Sequence, residues 1–400
     1  MRGTCAKLSL LFGILAGLPV AAVASDPSFN WVSPRPGHIL SYATGVSDDG
    51  STVSGWSAED ESLTRPVGYR WTAAGGRQEY GTLERPYGTA MGISGDGSTL
   101  TGFSSAPGAF NQQAFRQVGS GPAESLGVQS GYTNSVGVGA STDGNTIVGY
   151  SWRGPEASRV RQPFRWTATG GMQPLGFLQP DGYSAEPLDM SADGRTIVGS
   201  SFGESDPFAP HAFVWREGIG YVGLMVPGTD GGLVPAPRAS AVGASGRWIT
   251  GVTTIPGATV LIRWDNLEPE VIGAAPGYRS VRPRDITAQG SMIVGNVSNP
   301  TGGGPEQQAM IWSESFGFSP LREFLANSGV VFPPGTSLVD CFAISPDGQS
   351  FAGIGGDNGQ LRGFVATIPS PYAGGALGMS ALFFGIRRRR FGVQGLTCDV

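Results

Sequence analysis

One phrase recurs seven times along this 400-residue chain, and it restricts the fold more than any other feature. In its fullest form it reads A-x-x-[IV]-S-x-D-G-x-[ST]-[IV]-x-G. It appears as VSDDGSTVSG from Val46, ISGDGSTLTG from Ile93, ASTDGNTIVG from Ala140 and MSADGRTIVG from Met190. ASGRWITG from Ala244, ITAQGSMIVG from Ile286 and ISPDGQSFAG from Ile344 complete the set. The turn glycines Gly50, Gly97, Gly144, Gly194, Gly246, Gly290 and Gly348 are spaced by 47, 47, 50, 52, 44 and 58 residues. A unit of this length cannot bury its apolar face alone, so it must stack on its neighbours.

Each unit reads as four short strands. Strand one ends in [IV]-S, and an Asp-Gly turn leads into strand two, T-I-V-G, because glycine takes the positive φ such hairpins need. A second phrase trails the first: YRWTAAGG at Tyr69, AFRQVGSG at Ala114, FRWTATGG at Phe164 and FVWREGIG at Phe213, then IRWDN, MIWSESFG and FVATI. This is strand three, with Phe164 and Trp166 on one face and Arg165 on the other. A glycine turn and a short apolar piece supply strand four. Four strands in about 45 residues is the size of a propeller blade, and radial stacking protects the strand edges. The expected fold is therefore an all-β, seven-bladed β-propeller of residues 25–368. Strand one, with Ala43 and Gly45, Ala90 and Gly92, Gly137 and Gly139, Ala241 and Gly243, would crowd the axis. The last unit runs out after strand three, and Phe29–Ser33 is an unassigned β-like piece, so the latter is expected as the fourth strand of the last blade. A linear β-solenoid is the alternative, and it would leave Phe29–Ser33 unpaired. Leu321–Asn327 reads as a helical turn ended by Gly329, which explains the longest spacing.

Composition agrees with many tight turns: 65 glycines and 30 prolines, with 40% hydrophobic residues to build a core. The ends differ from the body. Arg2 and Lys7 precede an apolar run, Leu8 to Ala22, and Ala22-Val23-Ala24 offers a small-x-small site. Residues 1–24 read as a secretory signal cut between Ala24 and Ser25, the alternative being a membrane anchor. Without the two ends, 20 basic residues stand against 30 acidic ones, which argues against nucleic-acid binding. The mature chain keeps only Cys341 and Cys398, too few for a disulfide framework.

The pairing of S-x-D-G-x-T-I-V-G with A-F-x-W resembles the bacterial extracellular repeat family named for its His-Ala-Phe tripeptide. His211-Ala212-Phe213 is a literal match, and Pro163-Phe164, Ala114-Phe115 and Gly363-Phe364 are degenerate ones. The resemblance spans Ala43 to Ile368 and implies an exported protein without an agreed activity. The tail, residues 369–400, resembles an exosortase-type sorting signal: Pro369-Ser370-Pro371, an apolar run from Tyr372 to Ile386, then Arg387, Arg388, Arg389 and Arg390. It departs from the best-known form, which has Pro-Glu-Pro and ends at the arginines. The resemblance implies transient membrane association with the arginines held inside, then cleavage by an exosortase-like enzyme. The alternative is a weak permanent anchor.

Chemistry is sparse. Two histidines, His38 and His211, lie in different units, which argues against a His-based triad or zinc site. Asp49, Asp96, Asp143, Asp193 and Asp347 occupy the turns. One Asp per turn falls short of the six or more oxygens calcium wants, so each is expected to bond its own turn backbone. The turn is reminiscent of the Asp-box of sialidase-like propellers, which has a residue between Asp and Gly. Strand-three arginines Arg70, Arg116, Arg165 and Arg263 are expected to pair with acids or carbonyls. Two residues before the Ser or Thr closing strand one, the units carry Gly45, Gly92, Gly139, Asp189, Gly243, Asp285 and Ala343. Asp189 and Asp285 are thus the candidates to hold a cation or polar ligand in the channel; the alternative is local pairing, for example with Arg282 or Arg284. No catalytic constellation and no cofactor site is read. The expected role is a non-catalytic binding or structural protein at the cell surface or in extracellular matrix, with a glycan or envelope component as partner. The alternative is an extracellular carbohydrate-active hydrolase or lyase.

Overall fold

The repeated turn owes its shape to three side chains. In unit three, Asp143 Oδ1 accepts the Ser141 hydroxyl at 2.6 Å and the Asn145 N–H at 3.0 Å. Ser141 Oγ accepts the Thr146 N–H at 3.0 Å. Gly144 follows at φ 65°, where an L side chain is strained. A Cβ there would also lie 2.1 Å from Thr99 Oγ1 of the preceding unit. The same Ser–Asp bracket recurs at Asp49, Asp96, Asp193 and Asp347, so these aspartates are spent on their own turns.

The computed structural model describes residues 26–369, apart from 64, 81–82, 84–86, 106–110, 156–159, 229–230 and 300–306. The expected cleavage site at Ala24 and Ser25 lies outside the described residues, as do Ser370, Pro371 and Arg387 to Arg390 of the tail. From each turn an antiparallel sheet grows. In unit three Asn134–Ala140 pairs with Thr146–Arg153, then Val160–Thr167, then Gly171–Pro174. The fold is an all-β propeller of such four-stranded blades.

The sheet count differs from expectation. Among the described residues five separate four-stranded sheets are present, not seven. The strands of units one and two run together in one eight-stranded sheet, because Val67 and Gly88 form a single parallel pair between them. A two-stranded hairpin, Met225–Pro227 with Leu233–Pro235, accompanies the 52-residue spacing between units four and five. The helix α1 spans Leu321–Asn327 as expected, with Leu321 and Leu325 buried and Gly329 at φ 93°.

Strand one carries a β-bulge in every unit. In unit three the extra residue is Val138, between the paired Gly137 and Gly139. The bulge presses the Val136 carbonyl onto strand two, where a Cβ on Gly149 would lie 2.0 Å from that oxygen. This close approach is why strand two ends its phrase in glycine. The bulge also redirects one side chain per unit toward the axis.

The core is a set of seams. Among the described residues the buried apolar side chains form seven clusters, each bridging two consecutive units. Phe164 of unit three packs with Ala114 and Leu126 of unit two, and Phe213 of unit four with Val148 of unit three. Val53 and Tyr69 of unit one pack with Ala352 and Val365 of unit seven. Strand-three arginines tie the same seams: Arg116 Nε donates to Gly144 O at 3.1 Å and Arg165 Nε to Gly194 O at 3.0 Å.

Strands near the two ends of the described residues meet in one sheet. Ser28–Val32 pairs antiparallel with Gln360–Thr367, from Ser28 opposite Thr367 to Val32 opposite Gly363. The hydroxyls of Ser28 and Thr367 lie 2.6 Å apart. Ser41 Oγ accepts the Gly363 N–H at 3.0 Å and donates to Val32 O at 2.5 Å, which fastens unit one to this sheet. A linear solenoid has no such pairing.

Candidate functional site

The bulges converge on an axial cavity of about 410 Å³. All seven units contribute to its wall. The bulged residues form an uneven ring. Met91, Val138 and Leu188, from three consecutive units, make an apolar arc. Ser240, Arg284, Phe342 and Thr44 complete the circle, and Arg238 joins from the start of its strand. Sequence reasoning missed this ring, because an inserted residue escapes the two-residue alternation used to place side chains.

One residue further along, Asp189 and Asp285 line the cavity with Gly45, Gly92, Gly139 and Ala343. In unit five the matching residue is Ala241, opposite Thr250, and not Gly243. Gly243 belongs to the turn, where its N–H donates to Trp248 O at 2.8 Å. Unit five lacks the Asp of the phrase, which shifted its alignment by two.

The two carboxyls do the same job at two seams. Asp189 Oδ1 accepts the Met190 N–H at 2.8 Å, and its Oδ2 accepts the Val242 N–H of the next unit at 2.8 Å. Asp285 Oδ1 accepts the Ile286 N–H at 2.7 Å, and its Oδ2 accepts the Ile344 N–H of the next unit at 2.8 Å. Neither pairs with Arg282 or Arg284. Surrounding protein pushes Asp189 up to about 7 against the pull of its two N–H donors. Burial pushes Asp285 up to about 8, with the nearby Asp189 charge as a second cause. Both side chains keep partial contact with the cavity space.

Arg284 pairs elsewhere. Its Nε and Nη2 donate to Asp340 Oδ2 at 3.2 and 2.8 Å, and its guanidinium lies 5.1 Å from the Phe342 ring centre. Asn296 Nδ2 donates to the same Asp340 oxygen at 3.0 Å. Burial raises Asp340 above the usual carboxylate range, opposed by Arg284. Phe342 also meets Tyr42, whose ring stacks on Trp56 at 4.3 Å. Arg238 is exposed to the cavity yet enclosed by protein, and that enclosure lowers its pKa; Glu186 opposes the shift, while Arg284 and Arg282 add to it.

The turns line the other end of the cavity. Successive turns bond through their backbones: Asp48 N to Gly95 O at 2.8 Å, Asp96 N to Thr142 O at 2.9 Å, Thr142 N to Ala192 O at 2.8 Å. Asp48 leans over Gly95 and accepts the Thr142 hydroxyl at 3.3 Å. Burial raises its pKa, and the charges of Asp49, Asp96 and Asp347 add to the effect. This end is therefore acidic, and the bulge end carries the arginines.

Among the described residues no group of three or more His, Cys, Asp or Glu stands close enough to hold a metal ion. Neither His38 nor His211 lines the cavity. Cys341 is a free, fully buried thiol in the seam between units six and seven. Arg263 is buried between Trp248 and Trp312 and bonds Glu270, Glu314 and Gly290 O, a structural use like that of the other strand-three arginines.

No protein-family model matches this chain, and no curated protein matches it. Solved structures do share its architecture. An oligogalacturonate lyase in complex with manganese is 14% identical with a TM-score of 0.53, over 87% of this chain and 98% of that one. The β-propeller domain of the Trilobed protease from Pyrococcus furiosus, described as having an open velcro topology, is 9% identical with a TM-score of 0.52, over 86% and 94%. TolB from Acinetobacter baumannii is 16% identical with a TM-score of 0.40, over 57% of this chain and 52% of that one, so the chain spans about half of that protein. At these identities the likeness to the lyase and the protease domain is one of fold: this chain is built like known β-propellers.

Proposed function

We propose that this protein is an exported, non-catalytic β-propeller that binds a small component of the cell surface or matrix, a glycan or another envelope molecule, in its axial cavity. The observation that carries this reading is the cavity wall. Its polar groups hold the scaffold or face the space as fixed charge, and both carboxyls spend each oxygen on a backbone N–H. A glycosidase-like pair would need one free acid and one free base or nucleophile, and each oxygen of Asp189 and Asp285 is already held by a backbone N–H. The same commitment counts against their holding a cation. The likeness to a lyase bears on fold, not on chemistry.

In this reading the ring has seven sectors. The eight-stranded sheet is two blades touching through one parallel pair, and the seven seams, the last joining unit seven to unit one, support that count. The ends extend the proposal: residues 1–24 direct export, and the tail beyond Pro369 is read by an exosortase-like enzyme during transient membrane association. Mass spectrometry of the protein from its native cells tests both ends. A mature start at Ser25 and loss of the arginines agree with the proposal, and an intact Phe391 to Val400 contradicts the sorting step.

A glycan array, run with and without calcium, tests the binding role. The variant Val138→Trp fills the cavity without touching the seams. Retention on wild-type protein and loss on the variant are expected. Release of shortened glycan by the wild-type protein would show an enzyme instead.

A further inference from the structure

Building on the axial cavity as a binding site, we propose that it takes a small carboxylate with an apolar body. The carboxylate sits against Arg238 and Arg284, and the body lies on Met91, Val138, Leu188 and Phe342. Three observations carry this assignment.

The first is an arginine without an ion-pair partner. Arg238 lines the cavity and has no acid within ion-pair distance among the described residues. It stands near Arg284 and Arg282. Of the carboxylates around the group, Glu186 acts on Arg238 from beyond ion-pair distance, and Asp340 is buried and already engaged by Arg284 and Asn296. Like charges gathered in a half-enclosed space repel more than they would in water, and an anion relieves that repulsion. Arg284 is prepared for one: Asp340 fixes it through Nε and Nη2, Phe342 supports its face, and Nη1 has no hydrogen-bond partner among the described residues.

The second is the absence of a rival anion at the same level. Asp189 and Asp285 each hand both oxygens to backbone N–H groups. Burial also favours their neutral forms. They do not answer the arginines.

The third is the opposite wall. Met91 is 39% exposed, unusual for a large apolar side chain in a strand this close to the axis. With Val138 and Leu188, from the two following units, it lines the cavity with apolar side chains. Thr44 donates its hydroxyl to Ala90 O at 2.9 Å, which commits one polar group of the wall. A volume of about 410 Å³ suits a ligand of roughly drug-fragment size.

Calorimetric titration of the full chain with phenylacetate tests the proposal, with 2-phenylethanol as the neutral analogue and glucuronate as the acidic sugar. Phenylacetate is expected to bind, more weakly as salt rises, and the neutral analogue to bind at least about tenfold more weakly. Arg238→Gln is expected to lose about tenfold in affinity for phenylacetate while keeping the wild-type melting profile, since Arg238 holds no other element. The double variant Arg284→Gln with Asp340→Asn removes the second arginine without stranding a buried charge. Equal binding of the neutral analogue, or full binding by Arg238→Gln, overturns the carboxylate assignment. Glucuronate binding in place of phenylacetate overturns the apolar body. A glycan held by wild-type protein and lost in Val138→Trp, with no phenylacetate binding, overturns this inference and leaves the binding role standing. If no ligand is sensitive to Val138→Trp, both fall.

Discussion

At the scale of single residues, the two carboxyls on the axis make stability depend on pH. Asp189 and Asp285 have raised pKa values in the folded protein, about 7 and about 8. The folded state therefore holds their protons more tightly than the unfolded chain, whose carboxyls titrate near about 4. The stability this provides is complete below the unfolded value and is lost as pH rises through the folded values. Asp285→Asn cannot ionise. Melting temperatures followed from about pH 5 to about pH 8 should fall less steeply in that variant than in the wild type. Parallel curves would show that Asp285 is ionised throughout. A second residue-scale prediction concerns Gly149. A methyl there meets the Val136 carbonyl, so Gly149→Ala should cost about 3 kcal/mol by urea unfolding. A loss within the usual surface range of about 0.5 kcal/mol would mean the bulge moves away freely.

At the scale of strands and turns, legibility followed the chemistry. The Asp-Gly turns were plain in the sequence because Ser141, Asp143 and Gly144 build theirs from local bonds alone. The helix Leu321–Asn327 was legible for the same reason. The bulges were not, since an extra residue in strand one changes no residue type that a pattern would flag. The cavity ring of Met91, Leu188, Arg284 and Phe342 was hidden with them. Asp189 and Asp285 could be picked out because Gly or Ala holds that place elsewhere. Their use, as links from one unit's strand to the next unit's backbone, could not be read without the register. Arginines show the same logic between blades. Arg165→Met strands the Gly194 carbonyl and should lower stability by about 1–2 kcal/mol in thermal unfolding. An unchanged transition would mean that water replaces the guanidinium at no cost.

At the scale of the whole molecule, the ring matters more than any one blade. Every core cluster is a seam between units, so the sheets are stable only as neighbours. The axial cavity, its arginines and its apolar arc exist because the first strands of successive units are held around one axis. The strand Ser28–Val32 is what holds the last sheet to the first residues, and closure was readable from an orphan strand at one end and a missing one at the other. The measurement that bears most directly on this is a cross-link at the clasp. Ser28→Cys with Thr367→Cys places two thiols where the native hydroxyls are 2.6 Å apart. Under mild oxidation the pair should form an intramolecular disulfide in nearly every molecule and raise the melting temperature. Thiols left free at positions 28 and 367 in the folded, monomeric protein, or disulfides only between molecules, would contradict the closed ring.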